Sequence, residues 1–97
     1  MSSAVTSSLT SKAVVKMADM ESEMLEFAIA QAAYAQENLP GEKEVAHHLK
    51  QLFEDKYKPT WHCLVGRNFA SYVSHEKACC CYFYVGQMGV MLWKTPA

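Results

Sequence analysis

The chain has 97 residues, of which 51% are hydrophobic, and a formal net charge of -1 at pH 7. This length supports one compact domain, and charges scattered without runs exclude the electrostatic footprint of a nucleic-acid or anionic-membrane partner. The longest apolar run, residues 78–85, is far shorter than the roughly 20 residues that span a bilayer. We therefore expect a soluble protein with no nucleic-acid partner and no membrane insertion.

The first 12 residues are rich in Ser and Thr. These residues interrupt Ala4, Val5 and Leu9, so no apolar segment of a secretory signal forms. We predict a flexible tail over residues 1–12, a domain over residues 13–97, and a cytosolic location.

The domain begins with a strand followed by an amphipathic helix. Residues 13–17 (AVVKM) predict the strand, and Asp19 is the expected N-cap of a helix that ends near Gln36. Acidic side chains in the first turn suit the helix dipole. The predicted inner face consists of Met20, Met24, Phe27, Ala28, Ala32 and Ala35, with Glu23, Glu26 and Gln36 outside.

A second helix is predicted between two breaks in the pattern. Asn38, Pro40 and Gly41 end the first helix, and Lys58-Pro59 ends the second, because the residue before proline avoids the helical region. The apolar face of the second helix consists of Val45, Leu49, Leu52 and Phe53. The adjacent His47 and His48 diverge by about 100° and are typical of a solvated face.

From residue 60 onward, β-branched and aromatic residues predict strands over 61–65, 69–75, 79–85 and 88–94. Strand 69–75 carries Phe69, Ser71, Val73 and His75 on one face and Ala70, Tyr72 and Ser74 on the other. Since neither face is wholly apolar, this strand suits a sheet edge or an interface.

No catalytic constellation is predicted. Ser74 and His75 are neighbours on a strand and point to opposite faces, and the chain contains no Gly-x-Ser-x-Gly motif. His62 and Cys63 fail to converge for the same reason. We expect no enzymatic activity.

Cysteine occurs at positions 63, 79, 80 and 81. The simplest interpretation is that these residues are small buried hydrophobes. A zinc site or a thiol-redox protein built on this cluster is the alternative, although no Cys-x-x-Cys or His-x-x-x-His spacing is present. We expect no metal and no cofactor.

The stretch KYKPTWHCLVGRNFASYVSHE, followed by YFYVGQ, resembles the dynein light chains of the small eight-kilodalton class, and AVVKMADM resembles their first strand. The resemblance covers roughly residues 13–94. It implies an α+β fold of order β-α-α-β-β-β-β, with two helices packed on an antiparallel sheet. It also implies a homodimer in which strand 69–75 crosses to the partner subunit's sheet.

The resemblance further implies that two symmetric grooves bind extended Thr-Gln-Thr-like segments, including that of the dynein intermediate chain, by β-strand addition. This function places the protein in the cytoplasm, on the microtubule-associated dynein complex. Glu42 and Lys43 match the helix start that recognises the partner's central glutamine. The implied groove residues are Phe69, Ala70, Ser71, Tyr72, Val73, Ser74, His75, Glu42, Lys43, Tyr82 and Tyr84, and the implied dimer contacts are His62, Tyr72 and Ser74.

Two positions depart from the family's pattern. Ala70 replaces a usual glycine, and Cys79, Cys80 and Cys81 replace a His-Phe-Ile type stretch. We expect both departures to alter which segments are accepted. An inhibitor or assembly chaperone of one particular enzyme, using the same groove, is a further alternative.

Overall fold

The computed structural model describes residues 13–67 and 79–95. Its elements are β1 (Ala13–Met20), α1 (Ser22–Asn38), α2 (Glu42–Tyr57), β2 (Trp61–Gly66), β3 (Cys79–Val85) and β4 (Met88–Lys94). The strands form one antiparallel sheet in the order β1-β3-β4-β2. The predicted α+β class, an antiparallel sheet with two helices, is therefore confirmed. The predicted strand 69–75 lies outside the described residues.

The start of α1 differs from the prediction. Asp19 belongs to β1, which continues to Met20, and Glu21 is the N-cap residue without a side-chain cap hydrogen bond. The reason is tertiary, because Asp19 pairs with Cys80 and Met20 with Cys79 in the β1–β3 ladder. Strand pairing outweighs the preference of Asp for a helix start.

The core lies between the two helices and one face of the sheet. Within α1, the predicted inner residues Ala28, Ala32 and Ala35 are buried, and so are Ile29 and Ala33, which the prediction missed. Small side chains let α1 approach the sheet closely. From the sheet, alternate positions on β3 and β4 face the helices, namely Cys81, Phe83, Val85, Met88, Val90 and Leu92.

An aromatic cluster attaches α2 to the beginning of β2. Trp61 is fully buried, and its ring lies 4.8 Å from that of Phe53, centroid to centroid, in an edge-on arrangement. Phe53 also contacts Phe27 at 5.5 Å and Tyr57 at 5.2 Å. Rings at these distances and tilts attract one another beyond the area that they bury.

Polar contacts fix the backbone of Trp61 in the same place. Lys50 Nζ donates to the Trp61 carbonyl oxygen at 2.9 Å and to Glu54 Oε2 at 2.5 Å. Glu54 Oε2 also accepts the Trp61 backbone N–H at 3.2 Å. We call this set of contacts the Lys50–Glu54 clip. It aligns the first residue of β2 with the last two turns of α2.

The predicted end of the second helix at Lys58-Pro59 is confirmed, because α2 ends at Tyr57. Lys58 takes a φ of 70° directly after α2, and Gly86 takes a φ of 60° in the turn between β3 and β4. Positive φ carries no steric cost at glycine, so Gly86 suits this hairpin. The turn is held from outside by Gln36, whose Nε2 donates to the Val85 carbonyl oxygen at 3.1 Å. Among the described residues, neither helix has the length and apolarity to cross a bilayer.

Replacing Glu54 with Gln is expected to lower the urea midpoint of unfolding at pH 7. Hydrogen bonds from Lys50 and then from the Trp61 backbone hold the pKa of Glu54 below its ordinary value of 4.5. Because the folded-state pKa is lowered, the stabilisation is fully present above pH 4.5 and is lost as the pH falls through the lowered value. The difference between wild type and Glu54→Gln, measured at pH 7 and again in acid below pH 4.5, should therefore close in acid.

The matched control is Glu26→Gln, because Glu26 is exposed on α1. Its urea midpoint is expected to stay with that of the wild type at both pH values. If Glu54→Gln unfolds at the wild-type midpoint at pH 7, the clip does not stabilise the fold.

Candidate functional site

The sheet face turned away from the helices, which we call the outer face, carries most of the predicted site residues found in the described part of the chain. Strand alternation places His62, Leu64, Cys80, Tyr82, Tyr84, Met91 and Trp93 on it. Cys80 and Met91 are buried, whereas Leu64 is 43% exposed. The outer face is therefore apolar and aromatic, with little charge from β2, β3 and β4.

The predicted groove-wall residues Tyr82 and Tyr84 form a connected pair. Their hydroxyl oxygens lie 3.2 Å apart, and the Tyr84 hydroxyl donates to the Arg67 carbonyl oxygen at 3.1 Å. Since the Tyr84 proton goes to Arg67, Tyr82 is the donor between the two hydroxyls. This hydrogen bond raises the pKa of Tyr82. The pair thus links β3 to Arg67, the residue that directly follows β2.

A cleft of about 460 Å³ opens beside this pair, bounded by Val14, Lys16, Tyr82, Tyr84 and Gly86. Val14 is 55% exposed. The sequence interpretation assigned Val14 and Lys16 only to a first strand. The available signal was their alternate spacing on that strand, but which strand they pair with is a tertiary property.

Glu42 and Lys43 both lie in the first turn of α2 but border different cavities. Glu42 lines one of about 180 Å³ together with Gln36, Arg67 and Met88. Lys43 lines another, of about 520 Å³, beside His47 and His48. Neither borders the Tyr82–Tyr84 cleft of the same chain. Arg67 connects the two regions, because it lines the Glu42 cavity and accepts the Tyr84 hydrogen bond.

The predicted dimer contact His62 lies at the opposite end of the outer face from Gly86. Its ring stacks on Trp93, with centroids 5.3 Å apart and planes at 27°. His62 Nε2 lies 3.0 Å from Thr95 Oγ1, and the Thr95 backbone N–H donates to the Thr60 carbonyl oxygen at 3.0 Å. These contacts hold the imidazole in one orientation on the sheet surface.

The remaining predicted site residues are Phe69, Ala70, Ser71, Tyr72, Val73, Ser74 and His75, and all of them lie outside the described residues. This set is the predicted strand 69–75, which we call the docking strand, and it includes the implied dimer contacts Tyr72 and Ser74.

The cysteines behave as buried apolar residues. All four are thiols and not disulfides; Cys80 and Cys81 are buried, and Cys63 and Cys79 are half-buried. Burial raises the pKa of the Cys63 thiol to about 12 and that of Cys80 to about 11, and it raises the pKa of Cys81 as well. Within residues 13–67 and 79–95, no three His, Cys, Asp or Glu side chains come together in an arrangement able to hold a metal ion.

Comparisons with known proteins agree with this fold. Residues 12–95 match the family described as dynein light chain type 1. The dynein light chain-like domain of the Fasciola hepatica calcium binding protein FhCaBP2 superposes with a TM-score of 0.77 at 21% identity, covering 89% of this chain and 94% of that one. The DLC-like domain of CsTAL3 superposes with a TM-score of 0.70 at 15% identity, covering 87% and 93%.

The thiols of Cys63, Cys80 and Cys81 are expected to resist alkylation in the native protein at pH 8. Their raised pKa values leave almost no thiolate, and thiolate is the reacting form. Iodoacetamide labelling followed by peptide mass spectrometry should modify them only after denaturation in guanidinium. Labelling of Cys80 in the native protein at the rate of a free thiol would contradict the burial and favour a reactive cluster.

Proposed function

Because the chain belongs to the dynein light chain family, we propose that it is a non-catalytic homodimer that binds extended segments of partner proteins. Each segment adds as an antiparallel strand in one of two symmetric grooves, so that main-chain hydrogen bonds supply affinity and side-chain pockets supply selectivity. The protein then acts as a subunit of the dynein motor complex and as a dimerising hub. We place residues 13–97 in the binding domain and residues 1–12 in a flexible tail.

The observation that supports this proposal most is the position of β2. It is the last strand of the sheet, and no described strand pairs with its outer edge. An unpaired edge is a template for another strand. In a strand-swapped dimer, residues 69–75 of the partner subunit would pair with this edge and would present their own outer edge to a bound segment.

The outer face supports a two-fold dimer in a second way. Leu64 is 43% exposed, and Val14 and Met17 on β1 are 55% and 38% exposed. Apolar side chains grouped on one sheet face are typical of an interface. A second copy and the bound segment would together bury them, and the second copy would bring Glu42 and Lys43 of one chain toward the docking strand of the other.

The grooves are proposed to combine residues from three places. The docking strand supplies Phe69, Ala70, Ser71, Tyr72, Val73, Ser74 and His75, with Tyr72 and Ser74 also in the dimer contact. Tyr82 and Tyr84 form a wall. Glu42 and Lys43 begin α2 and are proposed to recognise the central glutamine of a Thr-Gln-Thr segment, such as that of the dynein intermediate chain. This role places the protein in the cytoplasm, at microtubules.

Two substitutions are proposed to make this groove selective. The methyl group of Ala70 would approach a bound backbone more closely than a glycine permits. Cys80, on the outer face next to the Tyr82 position, is small and buried. A small residue at that position would leave the groove shallow on its apolar side.

We expect a Thr-Gln-Thr-containing peptide to bind with a stoichiometry of two peptides per dimer in calorimetric titration. A peptide with Ala-Ala-Ala at the same three positions is the control and should not bind. Lys43→Ala should weaken binding by about 3- to 10-fold, since the net contribution of a typical hydrogen bond is about 0.5–1.5 kcal/mol. Absence of binding by the wild type would overturn the proposed function.

The proposed two-fold axis brings His62 close to its symmetry mate, so a permanent charge at position 62 would place two like charges in a desolvated contact. We therefore expect a charged side chain at this position to oppose dimer formation. Sedimentation velocity at neutral pH measures the oligomeric state.

His62→Lys should be monomeric at neutral pH, because the lysine side chain is charged there. The matched control is His47→Lys, on the exposed side of α2, which should remain dimeric. A His62→Lys protein that stays dimeric would remove His62 from the interface.

A further inference from the structure

A β-bulge in β1 gives Lys16 a special position. Val14 pairs with Tyr84 and Met17 pairs with Tyr82, while the register shifts between Val15 and Met17. Lys16 is therefore the extra residue in β1, lying between the two tyrosine pairings. Bulges re-aim side chains and occur next to binding sites. Here the bulge lies beside the Tyr82–Tyr84 cleft, and Lys16 lines it.

The wall opposite Lys16 depends on a glycine. Tyr84 pairs with Gly89 of β4, and Gly89 pairs with Gly66 of β2. A Cβ atom at Gly89 would stand 3.0 Å from Tyr84 Cζ and 3.2 Å from the Gly66 carbonyl oxygen. The Tyr84 ring therefore lies against β4 at a point where an added methyl group would require the ring to shift by a few tenths of an ångström.

This packing fixes the aromatic wall of the cleft. With its ring over Gly89, Tyr84 reaches across β4 and donates its hydroxyl proton to the Arg67 carbonyl oxygen at 3.1 Å. The ring is thereby held on the side away from β1. The space between the tyrosines and β1 stays open, with a volume of about 460 Å³.

The charge of the cleft selects its occupant. Of the five residues that line it, only Lys16 is charged, and Lys16 forms no ion pair with a described residue. Asp19 carries the carboxylate that lies closest to Lys16 in the sequence of β1. It pairs with Cys80, away from the Gly86 end of the sheet, and does not line the cleft. An ammonium group beside two aromatic rings and Val14 suits a carboxylate carried on a short apolar stem.

We propose that this cleft is a subsite for an acidic side chain, Asp or Glu, of the bound extended segment, outside its Thr-Gln-Thr core. The subsite rests on the proposed peptide-binding function and adds a charge preference to it. Lys16 supplies the charge, and Gly89 acts through Tyr84 as a positioning residue that keeps the subsite open.

A set of peptides that share the Thr-Gln-Thr core tests the subsite. Each carries one Glu, one Gln or one Lys at a single flanking position, and affinity is measured by fluorescence anisotropy at about 0.05 M and 0.5 M salt. At one flanking position, Glu should bind about 2- to 5-fold more tightly than Gln at low salt, the range expected of a partly exposed ion pair. The preference should shrink at high salt.

Variants of Lys16 assign the preference. Lys16→Gln should abolish it, and Lys16→Glu should reverse it in favour of a peptide Lys. Lys58→Gln is the matched control, because Lys58 is exposed next to the Trp61 end of β2, whereas the cleft borders the Gly66 end. It should keep the wild-type preference. Equal affinity for Glu and Gln at every position, or a preference that persists in Lys16→Gln, would overturn the subsite alone.

Gly89→Ala tests the positioning role. It should displace the Tyr84 ring and reduce the Glu preference, while Tyr84→Phe, which keeps the ring over Gly89, should retain most of it. Tyr34→Phe, on the exposed side of α1, is the control for removal of a hydroxyl group. An unchanged preference in Gly89→Ala would overturn the role of Gly89. Should Gly89→Ala fail to fold, the Lys16 variants still decide the subsite. Peptides that fail to bind at all would overturn the proposed function, and the subsite with it.

Discussion

The attachment of α2 to the first residue of β2 is the constraint on which the rest of the structure depends. Trp61 is fully buried against Phe53, and truncating an aromatic side chain in such a place typically costs about 3–5 kcal/mol. The Lys50–Glu54 clip sets the direction of the strand, because its hydrogen bonds hold both the N–H and the carbonyl group of Trp61. Packing therefore provides the stability, and the clip provides the alignment of the strand. Once Trp61 points inward, alternation turns His62 outward.

That alignment gives the sheet two different faces. The inner face is closed by α1 and α2, and its residues are almost all buried. The outer face retains exposed apolar groups such as Leu64 and Val14, beside the aromatic side chains of Tyr82, Tyr84 and Trp93. In the described part of the chain, β2 also has an unpaired edge. An open face next to an open edge suits a fold completed by a second chain and by an extended segment.

The outer face shows how a family fold can carry selectivity of its own. The Tyr84 ring occupies space that exists only because Gly89 lacks a side chain. The bulge at Lys16 then brings a charge to the opposite wall of the cleft that this arrangement leaves open. Neither Lys16 nor Tyr84 is a residue of the buried core. Selectivity resides in such surface details, whereas the core fixes the positions at which they occur.

The sequence by itself determined the elements whose signal is local. Periodic apolar residues predicted α2 from Glu42 to its end before Pro59, and β-branched and aromatic runs predicted β2, β3 and β4 within one residue of their observed ends. The buried state of the cysteines was also predicted correctly for Cys80 and Cys81. Tertiary structure alone decided that Asp19 joins a strand, since its partner Cys80 lies far away in sequence. It also decided that Lys16 faces Tyr82 and Tyr84, and that Arg67 links the tyrosines to the cavity at Glu42. Local propensity depends on the interactions of a residue with its neighbours along the chain. Strand register and bulges depend on contacts between segments that are distant in sequence, and these contacts form only in the folded protein.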